Sequence, residues 1–102
     1  MGNTQNINEQ INYQEASVVS REIVNKPSGT ITLFAFDRGQ GLSEHKAPFD
    51  ALVIITEGTA EVILSNVKHV VKAGEMLLMP ANETHALKAI EAFKMILTMI
   101  KS

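Results

Sequence analysis

The feature that most constrains this chain is a rhythm: short β-branched and apolar runs, each closed by a turn signal, one about every ten residues. SVVSREIV leads into NKPSG, TITLFAF into DRGQG, and ALVIIT into EG. AEVILS ends at Asn66, HVVK at Ala73-Gly74, and EMLLMP at Pro80; HALKAIE and FKMILTMI complete the series. About eight strands at such spacing predict an all-β sandwich or barrel. EAFKMILTMIKS has Met and Leu residues that permit a helix, but it is short and lacks a good cap, so a strand is the better reading. Residues 1–15 are rich in Asn, Gln and Glu. They are expected to form a loosely ordered polar tail, with an edge strand or helical turn at most. Residues 16–102 are expected to form the barrel domain.

A chain of 102 residues suits one domain with a modest core. A net charge of −2, with mixed signs, gives no reason to expect nucleic acid or a membrane as a partner. There is no Cys, so disulfides and thiolate ligands are excluded, and any metal must use His, Asp, Glu or water. The start, MGNTQNINEQINYQ, has no basic opening and no apolar core. It is not read as a signal peptide, and a cytoplasmic location is expected. Met1-Gly2 lacks the hydroxyl residue that myristoylation wants further on.

Leu52, Val53, Ile54 and Ile55 run consecutively, so a strand made of them is apolar on both faces. Such a strand needs a second layer or a partner subunit, and a homodimer is expected.

Two histidines carry the chemistry. His45 reads as a residue of a polar loop before a strand, and His85 lies in PANETHALKA. Their surroundings fall in register. Gly39, His45, Ala47, Ala51 and Gly58 are spaced G-x5-H-x-A-x3-A-x6-G; Gly74, Pro80, Asn82, His85 and Ala89 are spaced G-x5-P-x-N-x2-H-x3-A. Fifteen residues separate the two stretches. This resembles the paired motifs of the cupin superfamily, G-x5-H-x-H-x3-E-x6-G and G-x5-P-x-G-x2-H-x3-N. The likeness extends over residues 17–100. It implies a small single-domain, RmlC-like double-stranded β-helix, a relative of the jelly roll. It also implies an interior site, where three His and one Glu hold a divalent metal such as Zn, Fe, Mn or Ni.

The chain departs from that set at two of the four ligand positions, which are Ala47 and Ala51. His45 and His85 alone are retained as metal candidates. Asp50 precedes the missing glutamate and Glu44 precedes His45. By strict alternation both point to the wrong face unless a bulge rotates them. Phe34, Phe36, Met76, Met79, Met95 and Met99 are expected to line an apolar pocket with the two imidazoles at one end. Plain core filling is the simpler reading of the methionines. His69 belongs to no motif and is expected at the surface. Asn82 stands where the family has Gly and tolerates the left-handed backbone that such a turn needs.

Three functional readings follow. The leading one is a cupin-type barrel that binds a small molecule without robust catalysis. The alternative is a metal-dependent dioxygenase, isomerase or decarboxylase using His45 and His85, with water or Asp50 completing the sphere. The third is an interaction module working through an outer apolar sheet face. Fold does not choose among them.

Overall fold

A computed structural model describes residues 2–101; Met1 and Ser102, the outer ends of the two segments expected above, lie outside the described residues. Nine strands follow a short 3-10 turn at Ile7–Glu9: β1 Val18–Lys26, β2 Gly29–Phe36, β3 Gly41–His45, β4 Asp50–Glu57, β5 Thr59–Leu64, β6 Val67–Lys72, β7 Met76–Met79, β8 His85–Ala89 and β9 Phe93–Ile100. The C-terminal segment is strand, paired with β2 on one side and β4 on the other. The strand missing from the expectation is β3. GLSEH is short and polar, exposed at four of its five residues, and carries no apolar alternation to announce it.

The strands form two sheets, ordered β1-β2-β9-β4-β7 and β3-β8-β5-β6. All pairings are antiparallel. Together they make the double-stranded β-helix. Alternation sorts the side chains. On β4, Ala51, Val53 and Ile55 point inward and are buried, while Leu52 and Ile54 face outward and are half-buried. Their inward neighbours include Val62, Leu87, Phe93 and Met95. Each fully buried side chain of this kind contributes about 1.5–3 kcal/mol. Phe36 and Phe93 stack with ring centroids 4.5 Å apart and plug one end of the interior.

A second, smaller cluster lies outside the five-stranded sheet. Ile11 packs on Leu33 and Ala35, flanked by Val19 and Ile96. Polar contacts hold the preceding segment in place. Asn8 Nδ2 donates to the Thr56 carbonyl at 3.1 Å, and Arg21 donates to the Gln10 carbonyl at 3.0 Å. The buried Lys94 ammonium donates to the Asn8 carbonyl, and the Tyr13 hydroxyl to Glu57. Part of the polar tail is thus a strap laid on the sheet.

Two turns show the backbone demands expected from sequence. Gly58, between β4 and β5, has φ +77, and a Cβ there would run into the Ala92 carbonyl and Phe93. Asn82 has φ 67 and donates its N–H to the Ala47 carbonyl at 2.8 Å, so Asn does keep the turn that Gly makes elsewhere.

Candidate functional site: a histidine pair at the mouth of a half-filled barrel

β8 offers His85, Leu87 and Ala89 to the interior, and all three are buried. β3 lies beside it. Leu42 is opposite Leu87, but the next matched pair is His45 with His85, so β3 carries one extra residue between the two pairs. That bulge changes the strand's phase. Without it Glu44 would stand opposite His85; with it, His45 does.

The two rings meet at 69°, centroids 4.2 Å apart, with Nε2 to Nε2 at 3.0 Å. His45 Nδ1 is 2.8 Å from the Ser43 carbonyl, whereas His85 Nδ1 is 3.3 Å from that of Glu83. A carbonyl only accepts, so the shorter contact assigns the proton of His45 to Nδ1. Its Nε2 is then an acceptor, and His85 donates its Nε2–H to it. Burial, and after it the neighbouring His45, hold His85 below the usual histidine pKa; the Glu83 carbonyl opposes this. Near neutral pH the pair is therefore uncharged at His85. It presents one donor and one acceptor side by side.

Behind the pair lies a cavity of about 250 Å³. Phe34, Met79 and Met95 line it as expected, together with Met99, Ala47 and Ala51. Leu42, Leu87 and Leu97 also line it and were not anticipated. Their signal was available in part, since Met95, Leu97 and Met99 alternate along one strand.

Four expectations need correction. Phe36 is fully buried against Phe93 in the plugged end and does not reach the cavity. Met76 is 68% exposed, because alternation on β7 sends Leu77 and Met79 inward and Met76 outward. Asp50 is outward too, and its carboxylate accepts the Ala81 N–H at 2.8 Å; no bulge turns it to the site. His69 is half-buried rather than superficial, paired with the buried Val62 across β5 and β6 and away from the cavity.

The donor set does not fit the metal that the family resemblance implies. Among the described residues no three His, Cys, Asp or Glu side chains gather into a cluster. Methyl groups of Ala47 and Ala51 line the wall where the second His and the Glu would stand. Two nitrogens with no carboxylate leave most of a divalent ion's coordination and all of its charge uncompensated. Among the described residues no helix is long and apolar enough to cross a membrane.

Comparisons with known proteins agree with this architecture. A family model described as the cupin domain matches residues 32–101. A conserved protein of unknown function from Streptococcus pyogenes is 32% identical, with a TM-score of 0.96 over all of this chain and 90% of its own. A cupin 2 conserved barrel domain protein from Leptotrichia buccalis is 39% identical with a TM-score of 0.89; the match takes in 92% of this chain but 46% of that one, about half its length. A cupin superfamily protein from Desulfitobacterium hafniense, 24% identical, has the same fold at a TM-score of 0.95. No curated protein matches the chain. With the motif glycines, the proline and both histidines in register, and with the barrel they predict in place, this chain belongs to the cupin family.

Proposed function

We propose that this barrel binds a small, mainly apolar molecule carrying one hydroxyl or carboxyl group, and that it does so without a resident metal and without robust catalysis. The observation that carries the reading is the half-filled interior. Phe36 and Phe93 plug one end, while the other keeps a cavity walled by Met, Leu and Phe side chains with two imidazoles at its edge. A volume of about 250 Å³ lies just under the usual range of roughly 300–1,000 Å³ for ligand sites, so the occupant is small. His45 Nε2 accepts and His85 Nε2–H donates. A hydroxyl inserted between them satisfies both, and a carboxylic acid does so with its two oxygens. The apolar lining supplies affinity and the pair supplies orientation.

The competing reading is a metal-dependent enzyme, favoured by the 3.0 Å approach of the two Nε2 atoms. One experiment separates them. Protein purified without chelator is analysed for metals and then titrated, by NMR chemical shift and thermal shift, with small phenols and short-chain carboxylic acids. Saturable binding that perturbs Met95 and Met99 and is lost in His85→Phe supports the binding barrel. A stoichiometric metal that disappears in His45→Ala overturns it in favour of the enzyme.

A further inference from the structure

The cavity behind the histidine pair is lined by soft atoms in a definite arrangement. Cross-strand pairing sets Met79 and Met99 on either side of Ala51, in one inward row. Further along β9, Met95 is paired with Phe34 of β2. All four of these larger side chains line the cavity. Phe34 in turn has its ring centroid 5.9 Å from that of Phe36, so the deep end closes on the aromatic plug. A thioether sulfur is polarizable and sits favourably about 5 Å from an aromatic ring, often at its edge. A saturated ring or an alkyl chain receives no such contact. The strands of Met79 and Met99 are two spacings apart, about 10 Å, and Ala51 between them contributes only a methyl group. That gap is the width of a flat ring with a sulfur on each side. Size sets a second limit. A void of roughly 150 Å³ already holds benzene, so about 250 Å³ takes one ring with a short substituent.

The polar end narrows the class further. With the two Nε2 atoms at 3.0 Å, one donates and the other accepts. A group that satisfies both nitrogens must accept once and donate once. Near neutral pH a carboxylic acid, with a usual pKa of about 4, has lost the proton it would donate; a phenol, at about 10, keeps it. A carboxylate therefore meets the donor but turns a second lone pair on the acceptor. A phenolic hydroxyl answers both. His45 is exposed at the end of β3, so its ring has room to swing aside and admit the oxygen, while His85 is buried and stays.

Taking the barrel as the binding protein proposed above, we infer that its cavity selects a one-ring phenol, held as the neutral molecule with its ring between Met79 and Met99 and its hydroxyl bridging His85 and His45. The aromatic ring and the proton on its oxygen are both recognised. An aliphatic alcohol lacks the first, and an aromatic carboxylate lacks the second.

Four probes separate these contributions: phenol, cyclohexanol, toluene and benzoate, each titrated at about pH 8 and followed by methionine-methyl NMR. Phenol is expected to bind tightest and to move the Met79 and Met99 methyl signals by its ring current. Cyclohexanol should bind about tenfold more weakly, the combined effect of two sulfur–ring contacts. Toluene and benzoate should each fall at least about tenfold below phenol, the effect of a hydrogen bond left unmade. Met79→Leu/Met99→Leu keeps the volume and removes the sulfurs, so it should bring phenol to the level of cyclohexanol; Met99→Leu alone should give part of that loss. In His85→Phe, phenol should lose its advantage over toluene. Saturable binding in which cyclohexanol or benzoate equals phenol, or in which the leucine variants leave phenol unchanged, overturns the inference and leaves the binding barrel standing. No saturable binding of any of the four overturns both.

Discussion

His45 and His85 stand opposite each other on neighbouring strands with their Nε2 atoms 3.0 Å apart, a separation at which one nitrogen donates and the other accepts. Burial of His85, and after it the adjacent imidazole, hold its pKa below the ordinary histidine value. The unfolded chain thus binds the proton more tightly than the folded one. Stability from this group is complete above the unfolded value and falls as pH drops through it, levelling off below the folded value. Urea midpoints measured between pH 7.5 and 5 should decline in the native chain and decline less in His85→Gln. Equal slopes in the two proteins would count against the assignment.

The interior lacks two ligands rather than the space for them. Ala47→His combined with Ala51→Glu should therefore create a four-ligand set with His45 and His85. Elemental analysis should find about one divalent ion per chain in this variant. At a hundredfold excess over its dissociation constant that ion should stabilise the fold by about 2.7 kcal/mol. Failure to gain metal would show that the barrel wall places those positions differently from the family's ligands.

The two ends of the barrel should respond differently to truncation. Phe36 is fully buried in a stack, so Phe36→Ala should cost about 3–5 kcal/mol in denaturant unfolding. Met99 borders existing empty space, so Met99→Ala should cost less than about 2 kcal/mol and should shift ligand preference toward larger molecules.

Gly58→Ala should be damaging although it adds a single methyl group. The backbone is left-handed there and the Ala92 carbonyl occupies the space. Strain alone is worth roughly 1–3 kcal/mol, and the collision adds to it. A thermal midpoint within two degrees of the native chain would contradict this.

Lys94 is 7% exposed and holds the strap through the Asn8 carbonyl, with Glu57 3.9 Å away. Lys94→Ala strands that carbonyl and loosens residues around Asn8. A loss of about 1–3 kcal/mol is expected, together with faster proteolytic nicking N-terminal to β1. Unchanged cleavage would mean that Ile11 alone anchors the strap.

Much of this molecule is legible in its sequence because the governing interactions are local or periodic. Two-residue alternation in ALVIIT settles which side chains of β4 enter the core. Turn chemistry places Gly58 and Asn82, since few residues adopt positive φ cheaply. Motif spacing identifies His45 and His85 and exposes the loss of two ligands at Ala47 and Ala51. What alternation cannot supply is phase across a defect. The extra residue in β3 decides that His45 rather than Glu44 faces His85, and it exists only as a mismatch between paired strands. Packing depth is equally non-local: Phe34 and Phe36 share a strand and a face, yet one borders the cavity and the other is sealed by Phe93, which lies far along the chain on β9. Sequence periodicity thus fixed which residues turn inward, and the pairing of distant strands fixed which of them meet.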